Sequence, residues 1–90
     1  MTEKELFEKN LEIASEFSRF IVAHPKVAEE IPPNAEVIFL LESNPELTRA
    51  NLNLANKLRK AGTTVVFIKI KGLRPIEDTR LIEPHLEFAA

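Results

Sequence analysis

The chain contains no cysteine, which excludes disulfides, a thiolate zinc site and a thiol nucleophile. Tryptophan, tyrosine and glutamine are also absent, and the acids are thirteen Glu and one Asp. The only two glycines are Gly62 and Gly72. A glycine-rich phosphate loop and a dinucleotide fingerprint therefore cannot be assembled. No apolar run approaches the roughly 18 residues that span a bilayer. Residues 1–16 are charged along one face, unlike the apolar core of a signal peptide, so a cytoplasmic protein is the expectation. His24 and His85 lie far apart, and each adjoins a proline. Glu83 could share a strand face with His85, but two ligands do not make a metal site. Ser43 is followed by Asn-Pro-Glu instead of the glycines of a nucleophile elbow. The reading therefore assigns no catalytic residue, no metal and no cofactor, and leans away from an enzyme.

What is present amounts to one domain of 90 residues. A chain this short has a thin stability margin, for which oligomerisation is a common remedy. The Glu/Lys-weighted composition leans towards a thermophilic source, while six Asn argue the other way. The net charge of −2 is unevenly spread. Met1 to Glu16 holds five Glu and two Lys, whereas Lys57 to Arg74 holds six basic residues and no acid.

Thr2 and Glu5 have capping-box spacing at the start of a long helix. At 100° per residue Leu6, Ile13, Phe17, Phe20 and Ile21 fall on one side, with Phe7 and Ala14 at its edge. Leu11, Ser18 and Val22 form a second stripe beside it. Pro25 predicts an end near Ala23 or His24. Asn10 points into the apolar stripe. The plain reading is a boundary amide bonded to a neighbouring backbone group. The sharper one is a register-setting contact between subunits.

A connector with one helical turn follows, up to Pro32-Pro33-Asn34. Val37-Ile38-Phe39-Leu40-Leu41 is then a strand covered on both faces, spanning Glu36 to Glu42. Ser43 or Asn44 caps a second helix, from about Pro45 to Ala61, with Pro45 in its first turn. Leu47, Ala50, Leu54, Leu58 and Ala61 are expected inside, and Leu52 lies off that face as a candidate contact between chains. Gly62 ends the helix. Thr63 to Lys71 is a second strand, with Lys69 and Lys71 emerging together at its end. The tail holds Leu81, Ile82, Leu86 and Phe88, too apolar to stay free; it is expected as a short edge strand or an extended arm. The fold class is α/β: an N-terminal helix, then a β-α-β unit with a small parallel sheet and this C-terminal arm.

The runs Lys9-Asn10-Leu11-Glu12, Glu16-Phe17-Ser18, His24-Pro25 and Ile31-Pro32 are similar to a family of small, uncharacterised prokaryotic proteins. Val37 to Leu40, Asn44-Pro45-Glu46-Leu47, Asn51-Leu52 and Val65-Val66 extend that resemblance over nearly the whole chain. It implies an α/β domain with no assigned activity, and it brings no functional residues.

Three functions from different classes follow as expectations. The first is a non-enzymatic interaction or regulatory module, homodimeric, with Asn10, Leu52, Leu86 and Phe88 at interfaces and a protein as further partner. The second is an anion or small-molecule site at the rim beyond the strands, built from Ser43, Asn44, Lys71 and Arg74 near a helix N-terminus. The third is nucleic-acid binding through Lys57, Arg59, Lys60, Lys69, Lys71, Arg74 and Arg80. A pI near 5.7 and the lack of interleaved exposed aromatics count against this last one. No membrane partner is expected.

Overall fold

The computed structural model describes residues 1–75 and 81–89. Its elements are α1 (Glu3–Ala23), α2 (Pro25–Glu30), β1 (Glu36–Leu41), α3 (Pro45–Lys60) and β2 (Val65–Ile70). The α/β class and the two-stranded parallel sheet agree with the expectation. The single helical turn of the connector is a helix of its own, α2.

The local reasons are visible at each boundary. Thr2 caps α1: its Oγ1 accepts from Glu5 N–H at 3.1 Å, and Glu5 Oε1 accepts from Thr2 N–H at 3.2 Å. The Thr2 backbone N–H, and after it the Thr2 hydroxyl, hold the Glu5 carboxyl below its ordinary range. Pro25 stops α1 and occupies the first turn of α2. Asn34 turns the chain with φ 68°, a left-handed conformation that Asn tolerates. Asn44, not Ser43, caps α3, its side chain accepting from Leu47 N–H at 3.1 Å. At the other end Gly62, φ 87°, donates to the Arg59 carbonyl while Thr63 donates to that of Leu58. This double closure satisfies the last carbonyls of α3.

Val37, Phe39 and Leu41 of β1 share a sheet face with their register partners Val66, Ile68 and Ile70. On that face Ile13 of α1 and Leu47 of α3 join Phe39 and Leu41 in the core, with Leu6, Ala14, Phe17 and Leu73 around them. Phe17 meets Phe39 edge to face at 5.6 Å. Phe20 departs from its expected place: it is 46% exposed. Its ring stacks on His24 at 4.3 Å instead of on the sheet.

The two edges of the sheet are unlike. Glu36 N–H donates to the Thr64 carbonyl and Glu42 N–H to that of Ile70. In a parallel strand the N–H and C=O of one residue leave on the same side, and the side alternates. Even-numbered residues therefore bond across the pair. Odd-numbered ones, Phe39 and Leu41 in β1 and Val65, Phe67 and Lys69 in β2, turn their backbone groups outward.

Two expectations need correction. Leu54 and Ala61 are exposed instead of lining the buried face of α3. The buried residues are Leu47, Asn51 and Ala55, because α3 turns polar side chains towards the edge of β1. Within the single chain residues 81–89 form no edge strand, and the extended-arm alternative is the one the structure shows. The stretch 76–80, including Arg80, lies outside the described residues.

Candidate functional site

The polar centre of the molecule is an amide pair. Asn51 is 3% exposed, the one buried polar residue among those described. Its Nδ2 donates to the Phe39 carbonyl at 2.8 Å and to Asn10 Oδ1 at 2.9 Å. Asn10 Nδ2 returns a bond to Asn51 Oδ1 at 3.1 Å. The pair ties α1, α3 and β1 together. Asn10 thus finds its partner within the chain, and that partner is a side-chain amide where a backbone group was expected. Three residues before Asn51, Thr48 Oγ1 accepts from Leu41 N–H at 3.0 Å and donates to the Leu41 carbonyl at 2.8 Å. Among the described residues no buried side-chain nitrogen or oxygen lacks a partner; both Asn51 amide hydrogens are engaged, and each amide oxygen of the pair accepts from the other side chain.

The rim residues are only partly brought together. Ser43 N–H donates to the Lys71 carbonyl at 3.1 Å, which joins the two strand ends. Asn44 has committed its side-chain oxygen to Leu47. The groove beside this rim takes in Lys71, but its other lining residues are Leu40, Glu42, Thr48, Lys69 and Ile70. Ser43, Lys71 and Arg74 are exposed. The basic cluster divides between the end of α3 and the end of β2. Among the described residues its members pair with none of the glutamates of α1, two of which, Glu12 and Glu16, pair instead with Lys9 and Arg19. Groups of His and acidic residues able to hold a metal are absent among the described residues.

Two apolar grooves flank α1. One, of about 330 Å³, lies between α1 and α3 over the edge of β1. Phe7, Leu11 and Leu54 line it and are 67%, 59% and 47% exposed, with Asn10 and Asn51 alongside. The other, also about 330 Å³, lies between α1 and β2. Ile13, Phe17, Phe20, Ile68, Ile70 and Leu73 line it, with Glu16 and Lys69 at the same groove. Leu52 is 40% exposed on the outer side of α3, and Leu86 and Phe88 are 89% and 92% exposed on the arm. Sequence reasoning missed Asn51 and Thr48. The signal was available, since Asn51 lies one helical turn after Leu47, in the middle of the apolar stripe.

A protein-family model described as "Family of unknown function (DUF5647)" matches residues 5–84. No curated protein and no solved structure was found to match the chain.

Proposed function

Since the chain belongs to the DUF5647 family, whose description names no activity, we propose a function from its own residues: a small, non-enzymatic interaction module that works as a homodimer. The observation that carries this reading is apolar exposure. Among the described residues eleven large hydrophobic side chains are exposed, and three of them line one groove. Clustered apolar surface of this kind marks a place where a protein docks. Asn10 and Asn51 sit at that groove bonded to each other, with Asn51 also holding the Phe39 carbonyl, which suits docking better than chemistry. The groove between α1 and α3 is offered to an apolar segment of a partner protein, in a cytoplasmic setting.

Sedimentation velocity across micromolar concentrations tests the dimer. A concentration-dependent shift from one to two chain masses supports the reading, and a strict monomer removes it. A hydrophobic dye such as anilinonaphthalene sulfonate tests the groove. Dye fluorescence that Leu11→Glu and Leu54→Glu abolish, with far-ultraviolet circular dichroism unchanged, supports it. Fluorescence insensitive to both substitutions removes the groove from the proposal.

A further inference from the structure

The outer edge of β2 is unoccupied by any described residue. Val65, Phe67 and Lys69 direct their N–H and C=O groups away from β1, and the sheet ends there. A two-stranded sheet is marginal on its own, and an open edge is a template for another strand. Beside that edge lies the apolar groove of Phe17, Phe20, Ile68, Ile70 and Leu73.

The same chain carries a segment that matches this edge. Leu86-Glu87-Phe88 alternates apolar, acidic, apolar, the pattern of a strand with one dry face and one wet face. Pro84 lacks an N–H and sets a limit to ladder pairing on its N-terminal side. The arm does not cover its own body: Leu86 and Phe88 are almost fully exposed. The radius of gyration is 17.9 Å, against roughly 12 Å for a compact chain of this length.

We propose that residues 85–89 of one copy add as a third strand to the outer edge of β2 in a second copy, and reciprocally, so that two arms are exchanged about a twofold axis. This rests on the homodimer part of the function proposed above and names its interface. Parity decides the register. Ile68 and Ile70 face α1, whereas Phe67 and Lys69 face the other way. A strand that drops Leu86 and Phe88 towards the groove places Glu87 on the Lys69 side, where the charges are opposite. A one-residue slip would turn Glu87 towards the apolar groove and carry Leu86 and Phe88 to the Phe67 and Lys69 side, away from it. Only the first parity satisfies charge and burial together.

The test begins with sedimentation of the full chain and of Leu86→Glu/Phe88→Glu. The expected result is a dimer for the first and a monomer with an unchanged circular dichroism spectrum for the second. Lys69→Glu or Glu87→Lys alone should raise the dimer dissociation constant roughly threefold to tenfold, and the two together should restore it. Because the chain has no native cysteine, a disulfide can report geometry cleanly. Lys69→Cys and Glu87→Cys chains, mixed and oxidised, should give a covalent heterodimer. A dimer that persists in Leu86→Glu/Phe88→Glu overturns the arm exchange and leaves the homodimer standing. So does a monomeric internal disulfide in the doubly substituted chain, which would mean the arm folds back on its own edge. A strict wild-type monomer overturns both.

Discussion

The two edges of one small sheet are finished in opposite ways. At the β1 edge a helix takes the place of a third strand. Thr48 supplies both a donor and an acceptor to Leu41, and Asn51, three residues later, supplies a donor to Phe39. That spacing follows the strand, because alternate residues of β1 present backbone groups on that side and one turn of helix covers about the same length. At the β2 edge no described side chain does this. The side chains follow the same division: Ile38, Phe39 and Leu41 of β1 are buried, while no residue of β2 is. A closed edge and buried side chains make β1 the anchor of the fold. An open edge beside an apolar groove makes β2 the place where assembly can begin.

The largest test of this contrast is Asn51→Ala. It leaves the Phe39 carbonyl and the Asn10 amide without partners in a desolvated place, a cost of about 3 kcal/mol. For a domain of this size that is a large share of a total of roughly 5–13 kcal/mol. Urea unfolding followed by circular dichroism should show the midpoint fall steeply. Asn10→Leu/Asn51→Leu should lose less than the sum of its single changes, since no amide is then stranded opposite its partner. Additive losses would mean that the pair is incidental to the closed edge.

A smaller effect is expected at the next position. Thr48→Val keeps the shape of the side chain and removes both bonds to Leu41, for about 1–2 kcal/mol. Thr48→Ser should recover most of it. Hydrogen exchange gives the local readout: the Leu41 amide should lose protection in Thr48→Val, while the Ile68 and Ile70 amides, bonded to β1, should keep theirs. Equal loss across both strands would mean that α3 supports the sheet by packing alone.

These two positions also mark the limit of what the sequence discloses. The strands, the long helices and their caps were legible because each rests on local chemistry: Thr2 with Glu5, Pro25, Gly62, and two short apolar runs. The choice between Ser43 and Asn44 as cap was not legible, since both have suitable side chains and only the turn geometry separates them. Asn10 stood out as a polar break in an apolar stripe, but its partner did not. Asn51 is the matching break in the stripe of α3, and two breaks that each need a buried partner point to one another. Thr48 was hidden because a hydroxyl beside a helix start reads as solvated until a strand edge lies against it. Leu54 reads as inward from the sequence for a related reason. Periodicity finds the apolar arc of a helix, but here the arc turned to the sheet edge is partly polar, and Leu54 is left in a groove. The apolar character of Leu86 and Phe88 was plain. Their place was not, because no described residue of the single chain covers them.

The smallest effect is expected where the edge is open, and its smallness is the point. Lys69 is exposed and pairs with no described acid, so Lys69→Ala should change the stability of the single chain by less than about 0.5 kcal/mol. The readout that separates the two edges is exchange at alternate residues of β2. In dilute protein the Phe67 and Lys69 amides point to solvent and should exchange far faster than those of Val66, Ile68 and Ile70, which bond to β1. Raising the concentration should slow Phe67 and leave Val66 unchanged if a strand is added from outside. Lys69→Ala should require a higher concentration for the same slowing, without any change in the dilute pattern. If the Phe67 amide is as protected in dilute protein as its even-numbered neighbours, the edge is already closed within one chain, and the contrast between the two edges disappears.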